Sequence, residues 1–372
     1  MNADADRYAC DARFAGLQTI RLMQRAIAAT RLDLKGLRVL TEAATGYRRV
    51  TPVLAALAGA DEVYAVGRDS ARASRKDAEA QTAYLAGLAR VEGKVKLLST
   101  RLQAPLADVD LVTDLPGVRP IDEAIVRNIA ETAAVSLMHG VARWRTADVD
   151  VATCRRRGVA VAGVDEEAIG LHRYLPMGVV AGLLDLGVEI SGSTLVVAGQ
   201  GPGYAYVVQA LRRLGARVLV AAPETAGRIG LFGGEKAGEG LGDEAVTGRL
   251  AEADALVLCH DTPDERWVGP GAADATRLAA AAPHLAVVGL EAETDLRALA
   301  AAGLRCRPAG DSGDPFDLLP QPVVLLRAAG LKVGEVMTRA RRRGSSPLAA
   351  EQLAAEEAHA EQLPKDLGPP RR

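Results

Sequence analysis

The sequence predicts an α/β protein built as two doubly wound parallel-sheet domains with a cleft between them, and three observations carry that prediction. Short apolar runs without alternation, such as residues 195–198, read as strands buried on both faces. Along most of the chain these runs alternate with segments of helical period, the pattern of parallel sheets with crossover helices. Residues 187–224 hold a strand, a glycine-rich turn, an amphipathic helix and a second strand in sequence. The expected boundaries are a first α/β domain over 1–174, a second over 175–330, and a C-terminal helix with a charged, partly disordered tail over 331–372.

Size and composition allow this. With 372 residues there is enough chain for two sizeable cores. A formal net charge of -2 gives no electrostatic case for a nucleic-acid partner. Cys10, Cys154, Cys259 and Cys306 are scattered without a CxxC pair, and with five scattered histidines they form no metal pattern. Buried thiols in a reducing cytoplasm are the expectation. Residues 1–13 are polar and charged, unlike a secretory signal, and the most apolar segment, 175–190, carries Asp185 and Glu189 and is too short for a bilayer. No membrane partner is expected.

Taken in order, residues 11–30 read as a docking or dimer-forming helix with Phe14, Leu17, Ile20, Leu22 and Ile27 inward. The first domain then offers strands at 37–40, 62–66, 95–98, 109–113, 133–138 and 159–162, with helices at 50–57, 71–90 and 151–157. Its first turn, residues 44–49, has one glycine against Arg48 and Arg49, so an S-adenosylmethionine fold is an alternative reading of residues 39–66. Those two arginines suit either an anionic substrate or a solvated loop. The exit loop of the strand at 133–138 holds His139, Arg143, Trp144 and Arg145. Residues 175–186 form an apolar helix joining the two sheets, where a hinge cleft is expected. After the central unit, 228–248 reads as a mobile loop. Strands come next at 255–259, 285–290 and 304–306, then a helix at 323–342, a basic run from Arg341 and a charged Ala/Glu/Gln helix.

The central turn is the clearest site. Gly199, Gly201 and Gly203 stand around Pro202 between strand and helix, where backbone amides at a helix N-terminus can hold a phosphate. The G-x-G-x-x-G pattern is met at Gly199 and Gly201, but Tyr204 occupies the last position. The acidic residue that would grip a ribose diol falls near Ala222, with Glu224 late and Arg228 just beyond. An arginine without an acid ahead of it leans toward NADP over NAD. The alternative is a dinucleotide-type domain that has lost its nucleotide.

The order of segments resembles the D-isomer-specific 2-hydroxyacid dehydrogenases and their NAD(P)-binding relatives. The resemblance covers residues 109–330. It rests on 148–152 with 157–161, on the apolar helix, on 187–195 before the glycine turn, and on 253–258 with Thr262-Pro263-Asp264-Glu265. It implies Rossmann-like domains, a dimer formed through the nucleotide domain, and Thr262 and Pro263 beside the nicotinamide. The family's catalytic set is not matched. Glu291-Ala292 stands where its arginine would be, and Gln321 after Pro320 where its histidine would be, although Asp314-Pro315 could replace its acid. An amide cannot exchange a proton near neutral pH.

The leading expectation is therefore an NAD(P)-dependent oxidoreductase acting on a small carbonyl, imine or alcohol. His139, at a strand end, is the first candidate acid/base, with a histidine satisfied by backbone as the plain alternative, and His260 is the second. Arg143, Arg145 and His172, with Arg173 beside it, are candidate substrate contacts. A non-catalytic dinucleotide sensor or scaffold, and an S-adenosyl-ligand enzyme related to adenosylhomocysteine hydrolase, are the other readings.

Overall fold

The structure is a computed structural model that describes residues 3–70, 73–223, 232–259, 266–269, 272–290, 293–309 and 316–364, the side chains of 3–11, Pro202 and Glu293 excepted. The chain divides into two compact units, Met1–Ile169 with Pro320–Arg372, and Gly170–Leu319. The division falls earlier than the boundaries expected from sequence, and the residues read as a separate C-terminal tail belong to the first unit.

Unit 1 runs α1 (Ala3–Thr30), β1 (Arg38–Glu42), α2 (Val50–Leu57), β2 (Glu62–Val66), α3 (Arg75–Leu88), β3 (Val95–Leu98), β4 (Leu111–Thr113), α4 (Glu123–Val126), β5 (Ala134–Ser136), α5 (Val151–Arg157) and β6 (Ala160–Val164). Unit 2 runs α6 (Leu175–Asp185), β7 (Thr194–Gly199), α7 (Pro202–Arg213), β8 (Arg217–Ala221), β9 (Glu235–Gly238), α8 (Glu244–Leu250), β10 (Ala255–Cys259), α9 (Ala275–Ala281), β11 (Ala286–Leu290), α10 (Glu293–Ala301) and β12 (Arg305–Pro308). The chain then re-enters unit 1 with α11 (Pro320–Arg342), α12 (Pro347–Ala358) and β13 (Ala360–Gln362).

Both sheets have the doubly wound order. In unit 1 it is β13-β6-β5-β4-β1-β2-β3, all parallel except β13, which pairs antiparallel with β6. In unit 2 the order is β12-β11-β10-β7-β8-β9. The order reverses between β1 and β4 in unit 1 and between β7 and β10 in unit 2. A doubly wound sheet opens a ligand crevice at such a point, at the strands' carboxyl ends. Burial on two faces explains the uninterrupted apolar runs: Val39 joins the core under α2 and α11, and its neighbour Leu40 joins the core on the opposite face.

Three expectations need correction. On α1 the buried stripe is Gly16, Thr19, Ile20 and Met23, while Phe14 and Leu17 are 63% and 47% exposed. The register is set by Gly16, where a Cβ would lie 2.6 Å from Leu88 Cδ1 of α3. Within 228–248, the described part contains β9 and α8, the latter started by Asp243, whose side chain accepts the Ala245 amide. In the C-terminal stretch the expected charged Ala/Glu/Gln helix is α12, and the strand β13 after it was not foreseen. On α12, Ala350, Ala354 and Ala358 form a buried stripe against α11, and Ser346 caps its first turn. Residues 365–372 lie outside the described set.

Candidate functional site

At the reversal point of unit 2 the glycine turn is built from β7. Gly199 pairs with Cys259 of β10, and the Gln200 amide donates to the Cys259 carbonyl at 3.1 Å. A Cβ on Gly199 would sit 2.4 Å from that carbonyl oxygen and 2.8 Å from Tyr204 Cδ2. Gly201 starts α7 with φ 93° and ψ 174°, a conformation that is essentially glycine's alone, and it is exposed. Pro202 stands at the first helical position, where its fixed φ suits the helix and its missing N–H costs nothing. No side chain caps this end of α7, and an uncapped helix N-terminus suits a pyrophosphate.

Gly203 and Tyr204 are buried in the first turn of α7. Tyr204 is 4% exposed and lies on the sheet side of the turn, against Gly199. Its hydroxyl finds no hydrogen-bond partner among the described residues. Burial, reinforced by Cys259, pushes its phenol well above the ordinary tyrosine range. Where a third glycine would allow close helix–strand packing, a tyrosine fills the layer, and Gly201 is exposed at the start of the turn. At the ribose position β8 ends in buried Ala221 and Ala222. Glu224, Arg228, His260, Thr262 and Pro263 lie outside the described residues, as do Glu291, Ala292, Asp314 and Pro315. Gln321 is exposed in the first turn of α11. His172 lies in the short turn before α6, its Nδ1 buried without a partner among the described residues and its ring 6.5 Å from that of Phe316. Arg173 stacks on Tyr174, 5.1 Å from the ring centroid.

In unit 1 the polar residues just beyond neighbouring strand ends converge. His139 comes after β5 and its Nε2 lies 3.1 Å from Asp114 Oδ2, beyond β4. Arg119 donates from Nε to Asp114 Oδ1 at 2.5 Å and pairs through Nη1 with Asp148 at 3.1 Å. Its Nη2 stands 3.2 Å from His139 Nε2. The His139 Nδ1 faces the Gly140 carbonyl at 2.8 Å, and since a carbonyl only accepts, Nδ1 carries the hydrogen. Nε2 is left as the nitrogen that exchanges a proton. It accepts from Arg119 when bare and donates to Asp114 when protonated.

Beside this cluster, Glu42 ends β1 and is 4% exposed. Its Oε2 accepts the Gly117 amide at 3.3 Å, and its Oε1 is buried with no partner among the described residues. Burial raises its carboxyl above the ordinary range, against the pull of Arg327, Arg48, the Gly117 amide and Arg119. The arginine candidates Arg143 and Arg145 each face a carboxylate, Arg145 reaching the cluster through Asp148. Arg143 pairs with Glu166 at 3.6 Å, and Arg145 pairs with Asp148 at 3.0 Å. Trp144 donates from Nε1 to the Val149 carbonyl at 3.2 Å. Arg49 donates to Gln81 at 3.3 Å, in the first turn of the unit. Sequence reading picked out His139 but missed Asp114, Arg119 and Glu42. The signal available was position: Glu42 is the last residue of an apolar strand, and Asp114 is the residue after one.

No family model matches the chain, and no curated protein is similar to it. Among solved structures it is similar to a dipicolinate synthase subunit from Bacillus halodurans, at 15% identity over 80% of this chain and 96% of that one, with a TM-score of 0.53. It is also similar to the corresponding dipicolinate synthase chain from Bacillus subtilis, at 14% identity over 83% of this chain and 99% of that one, with a TM-score of 0.56. At this identity the likeness is one of fold. The shared fold is that of two parallel-sheet α/β units.

Proposed function

We propose that this protein is an NAD(P)-dependent oxidoreductase acting on a small carbonyl, imine or alcohol, with its nucleotide on the Gly199–Tyr204 turn. One observation carries the reading: Gly201, exposed and in a glycine-only conformation, opens α7 at the reversal point of a six-stranded dinucleotide-type sheet. The residues fit a pyrophosphate, because exposed Gly201 carries no side chain at the uncapped N-terminus of α7. A bound nicotinamide supplies or accepts a hydride. The chain itself supplies the proton inventory. His139 Nε2 gives or takes the proton, Gly140 fixes the tautomer through Nδ1, and Asp114 with Arg119 holds the ring. The buried thiols of Cys154 and Cys259 fit a reducing cytoplasm, and a homodimer remains part of the proposal.

A second reading, a dinucleotide sensor without catalysis, is favoured by one feature. Arg143, Arg145 and Arg119, the cations nearest His139 in sequence or space, each already face a carboxylate. A screen of small carbonyls and imines with NADPH and NADH, followed by absorbance, separates the two. The oxidoreductase reading expects turnover that falls about 10²- to 10⁴-fold in His139→Asn. Turnover indifferent to His139 removes the assigned acid/base, and turnover with no substrate leaves the sensor.

A further inference from the structure

The histidine of the proposed site hangs from an unusual piece of backbone. β5 ends at Ser136, and Met138, fully buried, adopts φ 57°, a left-handed conformation uncommon for a residue with a side chain. Such conformations persist only where the surroundings over-determine them, and they gather at functional sites.

The surroundings here come largely from one helix. From α11, Arg327 Nη1 donates to the Met138 carbonyl at 3.1 Å, and the Gly330 carbonyl accepts from Ser136 Oγ at 2.8 Å. Gly330 also makes the room: a Cβ there would lie 2.6 Å from Met138 Sδ and 3.2 Å from Met138 Cα. The far side of the loop is held by β6, by Glu166 just beyond it and by β13. Val164 donates to the His139 carbonyl at 3.0 Å, and a Cβ on Gly163 would lie 2.7 Å from that oxygen. Glu166 accepts the Gly140 amide at 2.9 Å, and Glu361 of β13 accepts the Val141 amide at 2.6 Å. Residues 138–141 are thus clasped from both sides. A side chain in an extended strand would simply continue the alternation of β5. The left-handed residue breaks that alternation just before His139, whose ring lies on Asp114 and Arg119 beyond the neighbouring strand.

We propose that Arg327 and Gly330 of α11 are positioning residues that hold Met138 in its left-handed backbone and so aim the His139 imidazole at Asp114 and Arg119. The role rests on the reading of His139 as the proton-exchanging group, and its test has a readout that does not need turnover. In the wild type, ring-nitrogen NMR of His139 shows one tautomer, protonated at Nδ1. Met138→Gly removes the side-chain objection to φ 57° but also empties a fully buried core position, so it is less stable than wild type and is read at a temperature where it stays folded. Its His139 ring, no longer held in one setting, shows averaged nitrogen signals. Gly330→Ala, which drives a methyl into Met138, and Arg327→Gln, which removes the charge beside the Met138 carbonyl, give the same averaging. Should Gly330→Ala not fold, Arg327→Gln carries the test. If a substrate is in hand, kcat falls roughly ten- to a hundredfold, as for a misplaced catalytic group, while the KM for NADPH stays put. Unaltered His139 ring signals in Met138→Gly and Arg327→Gln would overturn the assignment. A protein that reduces nothing but shows these ring signals would sink the oxidoreductase reading and leave the positioning role standing.

Discussion

Truncation of Asp114 to alanine perturbs the unit 1 cluster most directly. The Asp114 side chain is 1% exposed and accepts two hydrogen bonds from Arg119, while facing His139 at 3.1 Å. Removing one member of a buried ion pair typically costs about 3–5 kcal/mol, because the partner is left charged and uncompensated. Arg119 is not wholly abandoned, since Asp148 remains 3.1 Å from its Nη1 and its side chain keeps 18% exposure. The cost therefore falls at the low end, about 3 kcal/mol. For a unit of this size that lowers the melting temperature by about 6–12 °C. Arg119→Ala strands Asp114 in the same way and costs a similar amount. Because each single change already breaks the shared contact, the double variant is less destabilised than the sum, by about 2 kcal/mol. Scanning calorimetry of the four proteins, tracking the unit 1 transition, measures the coupling. Additivity to within about 0.5 kcal/mol would refute the network, and with it the bracing of His139.

Other expectations rest on single contacts. Gly199→Ala places a methyl 2.4 Å from the Cys259 carbonyl oxygen, so it should destabilise unit 2 by about 1–3 kcal/mol in urea titration; a neutral result would mean the β7–β10 junction is looser than described. Tyr204→Phe deletes a buried hydroxyl without a partner among the described residues, so stability should hold or rise by about 1 kcal/mol. Its dinucleotide affinity should be unchanged, and a weakened affinity would put the hydroxyl on the ligand. Glu42→Gln keeps an acceptor for the Gly117 amide and removes the titration. A carboxyl raised by folding contributes stability below its ordinary value of 4.5 and loses it as pH rises through the raised value. The variant should therefore match wild type near pH 4 and exceed it near pH 8 in urea melts. A wild type that gains on the variant as pH rises would contradict the burial argument.

Much of the fold could be read locally. Strands β2 and β3 and helices α2 and α5 match their expected residues; β2 and α2 are buried apolar runs and α5 is capped by Asp150, while β3 is a partly exposed edge strand. The glycine turn was visible in its own sequence. The elements that escaped depend on distant partners. The β9 strand, Glu-Lys-Ala-Gly at a sheet edge, carries no apolar run and is defined only by pairing with β8. The α12 helix was legible as a helix, but it buries alanines alone, so its packing on α11 was not. Phe14 and Leu17 look inward by hydropathy, but Gly16 packing on Leu88 turns the helix the other way. Asp114 and Arg119 share the loop after β4 while Glu42 ends β1, and only the sheet order puts β1, β4 and β5 side by side. Arg145 faces Asp148 at the local i,i+3 spacing, whereas the partner of Arg143, Glu166, is set by the fold.

The proposed chemistry stands or falls on the glycine turn holding a dinucleotide. Titration of folded wild type and Gly201→Val with NADPH and NADH, monitored by nicotinamide fluorescence, tests this. Saturable binding of at least one dinucleotide by the wild type, abolished in the variant, is the predicted result. Binding unchanged by the valine, or no binding of either dinucleotide to folded wild type, would contradict it.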